Sequence, residues 1–174
     1  SLFRQLGSTY GATLYMNILA VLNVLFYKYT GQEDIIIGSG VAGRSHDDLK
    51  GILGMFVNTL AMRNFPRGNE TYGEFLREVS GRSLQAFNNQ DFPFDDLVDR
   101  LGLERGTAYN PLFDVCMVVQ NMGPTGAAGP GSGVGGMSAK LPGVKSRHIT
   151  SKFDMTFFVY EMGDQVDFTI EYYS

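Results

Sequence analysis

The sequence has 174 residues, of which 44% are apolar and 18% are charged, and its formal net charge is −4. This size and composition are typical of one globular domain with a hydrophobic core, and they exclude a disordered chain. The 14 basic residues are scattered rather than clustered, which argues against nucleic acid as a partner.

A long helix is predicted over residues 9–29, where apolar residues recur at three- and four-residue steps. Ser8 or Thr9 could cap its first amides, and Gly31 lies where a left-handed C-cap is expected. Polar residues interrupt this run, so we expect no membrane span. Apolar side chains cover nearly the whole circumference, which predicts a helix buried between layers. They are Leu14, Ile18, Leu19, Val21, Leu22, Val24, Leu25, Phe26 and Tyr29.

The next segment predicts two short strands. Residues 34–38 are too few for a helix and mostly β-branched, which indicates a buried strand. Residues 56–63 predict a second strand, whose imperfect alternation favours burial on both faces. Between them, residues 47–53 could form a short helix.

Two further helices are predicted in the middle of the chain. Thr71 and Glu74 fit a capping box, in which the hydroxyl accepts from the N3 amide and the carboxylate accepts from the N-cap amide. We expect that helix to end near Asn88. Residues 91–93 open a shorter helix, because proline is tolerated in a first turn, and Gly102 ends it. The inward residues would be Tyr72, Phe75, Leu76, Val79 and Phe87, then Phe94, Leu97, Val98 and Leu101.

The last third of the chain is predicted to be rich in β-structure. Residues 113–120 predict a strand, and residues 153–161 and 165–173 flank a Gly-containing turn, as in a hairpin. The segment 123–136 is so rich in glycine that we expect a flexible loop. Irregularly interspersed strands and helices favour a single α/β domain over residues 1–174. Its expected architecture is a two-layer sandwich with a mixed, largely antiparallel sheet packed by helices.

Groups suited to catalysis are scarce. His46 and His148 do not fall at metal-binding spacing with a carboxylate, so we predict no metal site. Cys116 lies in a predicted strand without a cationic neighbour, which favours a buried structural thiol over a nucleophile. As the only cysteine it excludes an internal disulfide and fits a reducing, cytoplasmic location. The acid pairs at 47–48 and 95–96 fit solvated helix starts.

One long motif is specific enough to be compared with those of known protein families. Residues 35–46 read IIIGSGVAGRSH and residues 54–60 read GMFVNTL, followed by Arg63. Together they resemble IGTPVAGR…IGFFVNTL…R, a motif of the condensation domains of nonribosomal peptide synthetases. Epimerisation domains tend to carry a Trp-Phe-Thr type sequence where this chain has FVNT, so the resemblance favours condensation.

Three more stretches resemble the same family in the same order. Residues 89–98, NQDFPFDDLV, are similar to HQDLPFEKLV. Residues 105–115, RGTAYNPLFDV, are similar to RDLSRNPLFQV, and residues 151–154 are similar to KFD. Asn89 replaces a histidine of the family, and Gly106 and Tyr109 replace an acid and an arginine, all at positions suited to packing or capping.

The family's catalytic motif, HHxxxDG, does not occur in this sequence. The resemblance therefore implies the C-terminal half of a condensation domain, a chloramphenicol acetyltransferase-like half-domain. In the intact family domain, a donor thioester and an acceptor amine enter a tunnel between two halves on the phosphopantetheine arms of peptidyl carrier proteins. The amine attacks the thioester carbonyl and an amide forms. Implied partners are the N-terminal half, the carrier proteins and a neighbouring adenylation domain of an antibiotic or other secondary-metabolite synthetase, with no directly bound cofactor.

This half would contribute a wall of the tunnel. The resemblance implies as lining residues Ser39, Asn58, Thr59 and Gln120, although ordinary strand-end hydrogen bonding would also account for such polar groups. The implied turn or anchor residues are Gly40, Gly43, Arg44 and Asp154. Two alternatives stay open, a fragment of an epimerisation or cyclisation relative and a non-catalytic scaffolding module of the same fold. We expect the isolated chain to be inactive and to self-associate through exposed apolar surface or strand edges.

Overall fold

A computed structural model describes residues 2–43, 48, 52–54, 56–103, 110–121, 153–162 and 165–173. Within these ranges the chain forms four helices and five strands. The helices are α1 (Leu2–Tyr10), α2 (Leu14–Thr30), α3 (Tyr72–Asn88) and α4 (Phe94–Arg100). The strands are β1 (Ile35–Val41), β2 (Asn58–Asn64), β3 (Val115–Asn121), β4 (Met155–Met162) and β5 (Gln165–Tyr172).

The first helical region consists of two helices, so the prediction of one helix over residues 9–29 was wrong at its start. Gly11 adopts a left-handed conformation with φ 65°, and Ala12 N donates to Gly7 O at 2.8 Å, which closes α1. Thr13, rather than Ser8 or Thr9, then caps α2, because its hydroxyl accepts from Met16 N at 3.2 Å. The C-cap at Gly31, with φ 71°, is confirmed.

Replacing Thr13 with alanine is expected to lower the free energy of unfolding by about 1 kcal/mol, because one amide at the start of α2 loses its acceptor. Thr9→Ala is the matched control, since the Thr9 hydroxyl bonds to Gln5 O inside α1 and caps nothing. Urea denaturation of both variants measures the difference. An equal or larger loss in Thr9→Ala would contradict Thr13 as the cap.

The five strands form one sheet in the order β2-β1-β3-β4-β5. The pairs β1–β2 and β4–β5 are antiparallel, whereas β1–β3 and β3–β4 are parallel. The predicted mixed sheet and the C-terminal hairpin are confirmed. Of the four strand pairs in the described sheet, two are antiparallel and two are parallel, whereas a largely antiparallel sheet was expected. The parallel pairs fit the long connections that precede β3 and β4.

The core lies between one face of the sheet and the helices α2 and α3. Alternate residues of each strand point to this face, which we call the helix face. Its fully buried members include Ile37, Met117 and Val159 from the sheet. The fully buried helix residues in the same core are Leu19, Phe75, Leu76 and Val79. Tyr72 also joins the two helices, since its hydroxyl bonds to the side chain of the buried Asn17.

Two predictions of burial were wrong. The helix α2 is not enclosed on all sides, because Val21 and Leu25 remain 37% and 39% exposed and Tyr29 is 83% exposed. The strand β2 buries Leu60 and Met62 but leaves its other face half-exposed. The reason is position, since β2 is the last strand on its side of the described sheet.

The other elements agree with the sequence or lie outside the described residues. The capping box of α3 is confirmed, with Glu74 N donating to the Thr71 hydroxyl and Thr71 N to the Glu74 carboxylate. These hydrogen bonds from Thr71 hold the pKa of Glu74 below its usual range. Most of the predicted helix 47–53, the whole loop 123–136 and the hairpin turn at 163–164 fall outside the described ranges. No helix in those ranges is long and apolar enough to cross a bilayer.

Candidate functional site

Most of the predicted site residues gather at one end of the sheet. In the β1–β2 ladder, Ser39 pairs with Leu60, Gly40 with Thr59, and Val41 with Asn58. The strand β3 runs parallel to β1, with Met117 beside Ser39, so Gln120 lies three residues further toward the same end. Asp154 lies at the opposite end, directly before β4, where its carbonyl accepts from Tyr173 N at 3.0 Å.

The alternation of the strands divides these residues between the two faces. Ser39 and Asn58 occupy positions on the helix face, and Ser39 is only 2% exposed. Gly40, Thr59 and Gln120 occupy positions on the opposite face, where Thr59 and Gln120 are half-buried. A single surface can therefore include Thr59 and Gln120, but the side chain of Ser39 points into the core.

Ser39 lies beside a buried tyrosine of α2. Burial raises the pKa of Tyr15 to about 12, and the nearby Ser39 hydroxyl opposes this rise. The contact is not a hydrogen bond of good geometry, since the buried Tyr15 hydroxyl has no hydrogen-bond partner among the described residues. Such a phenol stays neutral at ordinary pH, so this pair packs the core and supplies no base.

The Asn58 side chain ties the start of β2 to the segment between α3 and α4. Its Nδ2 donates to the carbonyls of Gln90 at 2.7 Å and Phe92 at 2.8 Å. Its Oδ1 accepts from Thr59 N at 2.9 Å and from Phe94 N at 3.2 Å, the first amide of α4. The amide thus uses both hydrogens and its oxygen on backbone groups.

A second junction forms where Phe113 covers Gly38 of β1. A Cβ on Gly38 would overlap the Phe113 ring, so the close approach requires glycine here. The ring is 4% exposed and lies 5.7 Å from Phe94 and 5.5 Å from Phe153, measured between ring centroids. Asn110 fixes the approach, because its Oδ1 accepts from Leu112 N at 3.0 Å and Phe113 N at 3.3 Å.

These two junctions connect all four sequence motifs. Asn58, in the first motif, binds the second at Gln90, Phe92 and Phe94. Phe113, in the third, contacts Gly38 in the first and Phe153 in the fourth. Sequence reasoning singled out Asn58 but missed Gly38 and Phe113 as a pair. The available signal was a glycine inside an otherwise β-branched strand, which indicates close approach of another group.

The predicted turn is described only in part. Gly43 has φ 61°, and a Cβ there would overlap Phe56 O, so both its conformation and its surroundings require glycine. Gly40 is a residue of β1 rather than of a turn. Arg44, His46 and His148 lie outside the described residues. Among those that are described, no cluster of three or more histidine, cysteine or acidic side chains could hold a metal ion, and Cys116 is buried as predicted.

A family model described as Condensation domain matches residues 1–174. Bacitracin synthase 3 of Bacillus licheniformis is 44% identical over 169 residues, which are 97% of this chain and 2% of that protein. Gramicidin S synthase 2 of Brevibacillus brevis is 43% identical over 162 residues, which are 93% of this chain and 4% of that protein. The chain therefore spans only a small part of the curated relatives that it matches.

Solved structures show the same fold at lower identity. A four-domain nonribosomal peptide synthetase bound to AMP and glycine matches 97% of this chain with a TM-score of 0.77 and 21% identity, over 13% of its own length. The first condensation domain of the CDA synthetase matches 97% with a TM-score of 0.71 and 16% identity, over 35% of its own length.

Proposed function

Because this chain belongs to the condensation-domain family, we propose that it forms part of a nonribosomal peptide synthetase condensation domain that makes amide bonds. The match of the family model over residues 1–174 is the observation that carries this proposal. The reaction joins a donor thioester to an acceptor amine, both held on phosphopantetheine arms of carrier proteins. The neighbouring adenylation domain would supply the activated amino acids.

Within that domain, the chain is proposed to be the C-terminal half and one wall of the substrate tunnel. It contains no two adjacent histidines, so the HHxxxDG motif would come from the N-terminal half. Thr59 and Gln120 are the proposed lining residues, since both occupy the sheet face opposite the helices. Asn58 would act indirectly, because its amide holds the segment 90–94 rather than pointing a free polar group at a substrate.

The chemistry of this half is then positioning rather than proton transfer. The described residues include no nucleophile beside a matched base, and Tyr15 is a buried, neutral phenol. Two tethered substrates that are held in line gain much of their rate from orientation alone. A rigid wall serves this purpose, and the two junctions at Asn58 and Phe113 give it that rigidity.

The isolated chain is expected to form no dipeptidyl thioester from aminoacyl-loaded carrier proteins, and to form it once the N-terminal half is added. Mass spectrometry of the carrier-bound products measures this. The matched control is an N-terminal half whose second HHxxxDG histidine is replaced by alanine, which should not restore product. Product from this chain alone would overturn the proposal, and failure of the unaltered half to restore product would favour a scaffolding role.

Self-association of the isolated chain belongs to the same proposal. On β5, Phe168, Ile170 and Tyr172 are 49%, 50% and 65% exposed, and all three occupy the helix face of the sheet. Exposed apolar surface of this kind tends to drive association in water. We propose that copies of the chain pair through it until the N-terminal half is present.

A further inference from the structure

A cleft of about 290 Å³ lies between the outer edge of β2 and the C-terminal half of α3. Its strand wall consists of four consecutive residues, Ala61 to Asn64. Consecutive strand residues point to opposite faces of a sheet, so what they share is the strand's outer edge. The cleft therefore follows the edge of β2. The helix residues that line it are Arg82, Ser83, Gln85, Ala86 and Asn89.

Two buried polar groups in this wall have no hydrogen-bond partner among the described residues. Asn64 and Ser83 are each 1% exposed, and neither Asn64 Oδ1 nor Ser83 Oγ is bonded. Buried polar atoms are nearly always paired, because burying an unpaired one removes it from water without a replacement partner. Both residues line the cleft, but these two oxygen atoms are closed to solvent, so an occupant at the strand edge does not reach them.

Within the described part of the chain, the cleft carries one positive charge without a counterion. The guanidinium groups of Arg63 and Arg82 lie 5.3 Å and 4.7 Å from the centroid of the Phe65 ring. Arg63 is neutralised by Asp34, with Nε–Oδ1 at 2.8 Å and Nη2–Oδ2 at 2.6 Å. Arg82 has no ion-pair partner in the described part of the chain, so an occupant with a carboxylate would complement it.

The edge of β2 offers main-chain groups as well. Thr59 N donates to Asn58 Oδ1, which indicates that the odd-numbered residues of β2 point their backbone groups away from β1. Ala61 and Arg63 follow by alternation, and both line the cleft. A strand edge with free N–H and C=O groups is a template for an added strand.

We propose that this cleft binds an extended polypeptide segment that carries an acidic side chain and adds to the sheet beside β2. Backbone groups of Ala61 and Arg63 pair with the segment, and Arg82 binds its carboxylate. This site is separate from the amide-forming function, so either proposal can fail without the other.

The probes are capped, fluorescently labelled hexapeptides of alternating threonine and valine, with one aspartate placed at each position in turn. Fluorescence anisotropy with the whole chain is expected to show binding of at least one register. Lysine in place of the aspartate, or N-methylation of the backbone amides that face β2, is expected to weaken that binding about tenfold, as for the loss of a charge-assisted or paired hydrogen bond.

Three variants test the residues. Arg82→Glu should weaken binding of the acidic peptide about tenfold and improve binding of the lysine peptide. Arg77→Glu, on the same helix but outside the cleft, should change neither. Ser83→Ala should change neither the binding nor the urea midpoint, because its hydroxyl is buried and has no hydrogen-bond partner among the described residues.

Several results would overturn the proposal. These are no binding in any register, binding that survives N-methylation, equal effects of Arg77→Glu and Arg82→Glu, and competition by free aspartate at the same concentration as the peptide. The last result would identify a small-anion site instead of a strand-binding one.

Discussion

Replacing Asn58 with alanine is expected to lower the free energy of unfolding by about 2–4 kcal/mol, because three backbone groups outside β2 lose their partners together. These are the carbonyls of Gln90 and Phe92 and the amide of Phe94. All three lie in the turn that leads into α4, so the turn and the helix start should loosen as a unit. Urea denaturation gives the loss, and hydrogen exchange at the Phe94 amide locates it.

The matched control for this variant is Asn89→Ala. Asn89 is exposed and its side chain makes one bond, from Nδ2 to Gln85 O at 2.8 Å within the same turn of helix. Exposed local bonds of this kind contribute little, so we expect a loss of about 0.5 kcal/mol or less. A loss equal to that of Asn58→Ala would show that Asn58 contributes no more than an ordinary surface amide.

An aspartate at position 58 separates the donor from the acceptor role. Asn58→Asp keeps an oxygen that can accept from Phe94 N, but at neutral pH its carboxylate faces the carbonyls of Gln90 and Phe92. We therefore expect a loss of stability at pH 7 that becomes smaller as the pH falls, because the protonated acid can donate to one of those carbonyls. Unfolding at a series of pH values measures this, and a pH-independent deficit would contradict the donor role.

The elements that the sequence predicted correctly are those whose structure is determined by residues close together in the sequence. The capping box at Thr71 and Glu74 and the pairing of β4 with β5 as a hairpin depend on neighbours in sequence, and both are confirmed. The start of α2 was missed because the prediction followed the apolar pattern and did not treat Gly11 as a break between two helices. The exposure of Val21 and the one-sided burial of β2 depend on which elements lie beside them, and sequence periodicity does not contain that information.

The sequence predicted which residues belong to the candidate site but not how they are arranged. The motif resemblance selected Ser39, Asn58, Thr59 and Gln120, and the sheet brings them to one end through the β1–β2 and β1–β3 pairings. Their division between two faces follows from register, which the sequence could not fix because β3 joins β1 from across the chain. The hydrogen bonds from Asn58 to Gln90, Phe92 and Phe94 span 32 to 36 residues, so no local pattern could have shown them.

The contact between Phe113 and Gly38 is expected to give the largest effects on stability in the described chain. Phe113→Ala should lower the free energy of unfolding by about 3–5 kcal/mol, because a buried ring touching three motifs leaves a cavity. Gly38→Ala should cost about 1–3 kcal/mol, since the new methyl group overlaps the ring. Urea denaturation of the single and double variants measures both losses and their coupling.

The double variant distinguishes this contact from general damage to the core. Once the Phe113 ring is absent, the methyl group of Gly38→Ala enters the vacated space, so the two losses should fall short of additivity by about 1–2 kcal/mol. Gly81→Ala is the matched control, because its Cβ would meet nothing within 4 Å on α3. The same substitution there should stabilise the protein by about 0.5–1 kcal/mol, since alanine favours the helix. Additive losses at Gly38 and Phe113 would mean that the two residues stabilise the fold independently and that the junction between the first and third motifs does not depend on their contact.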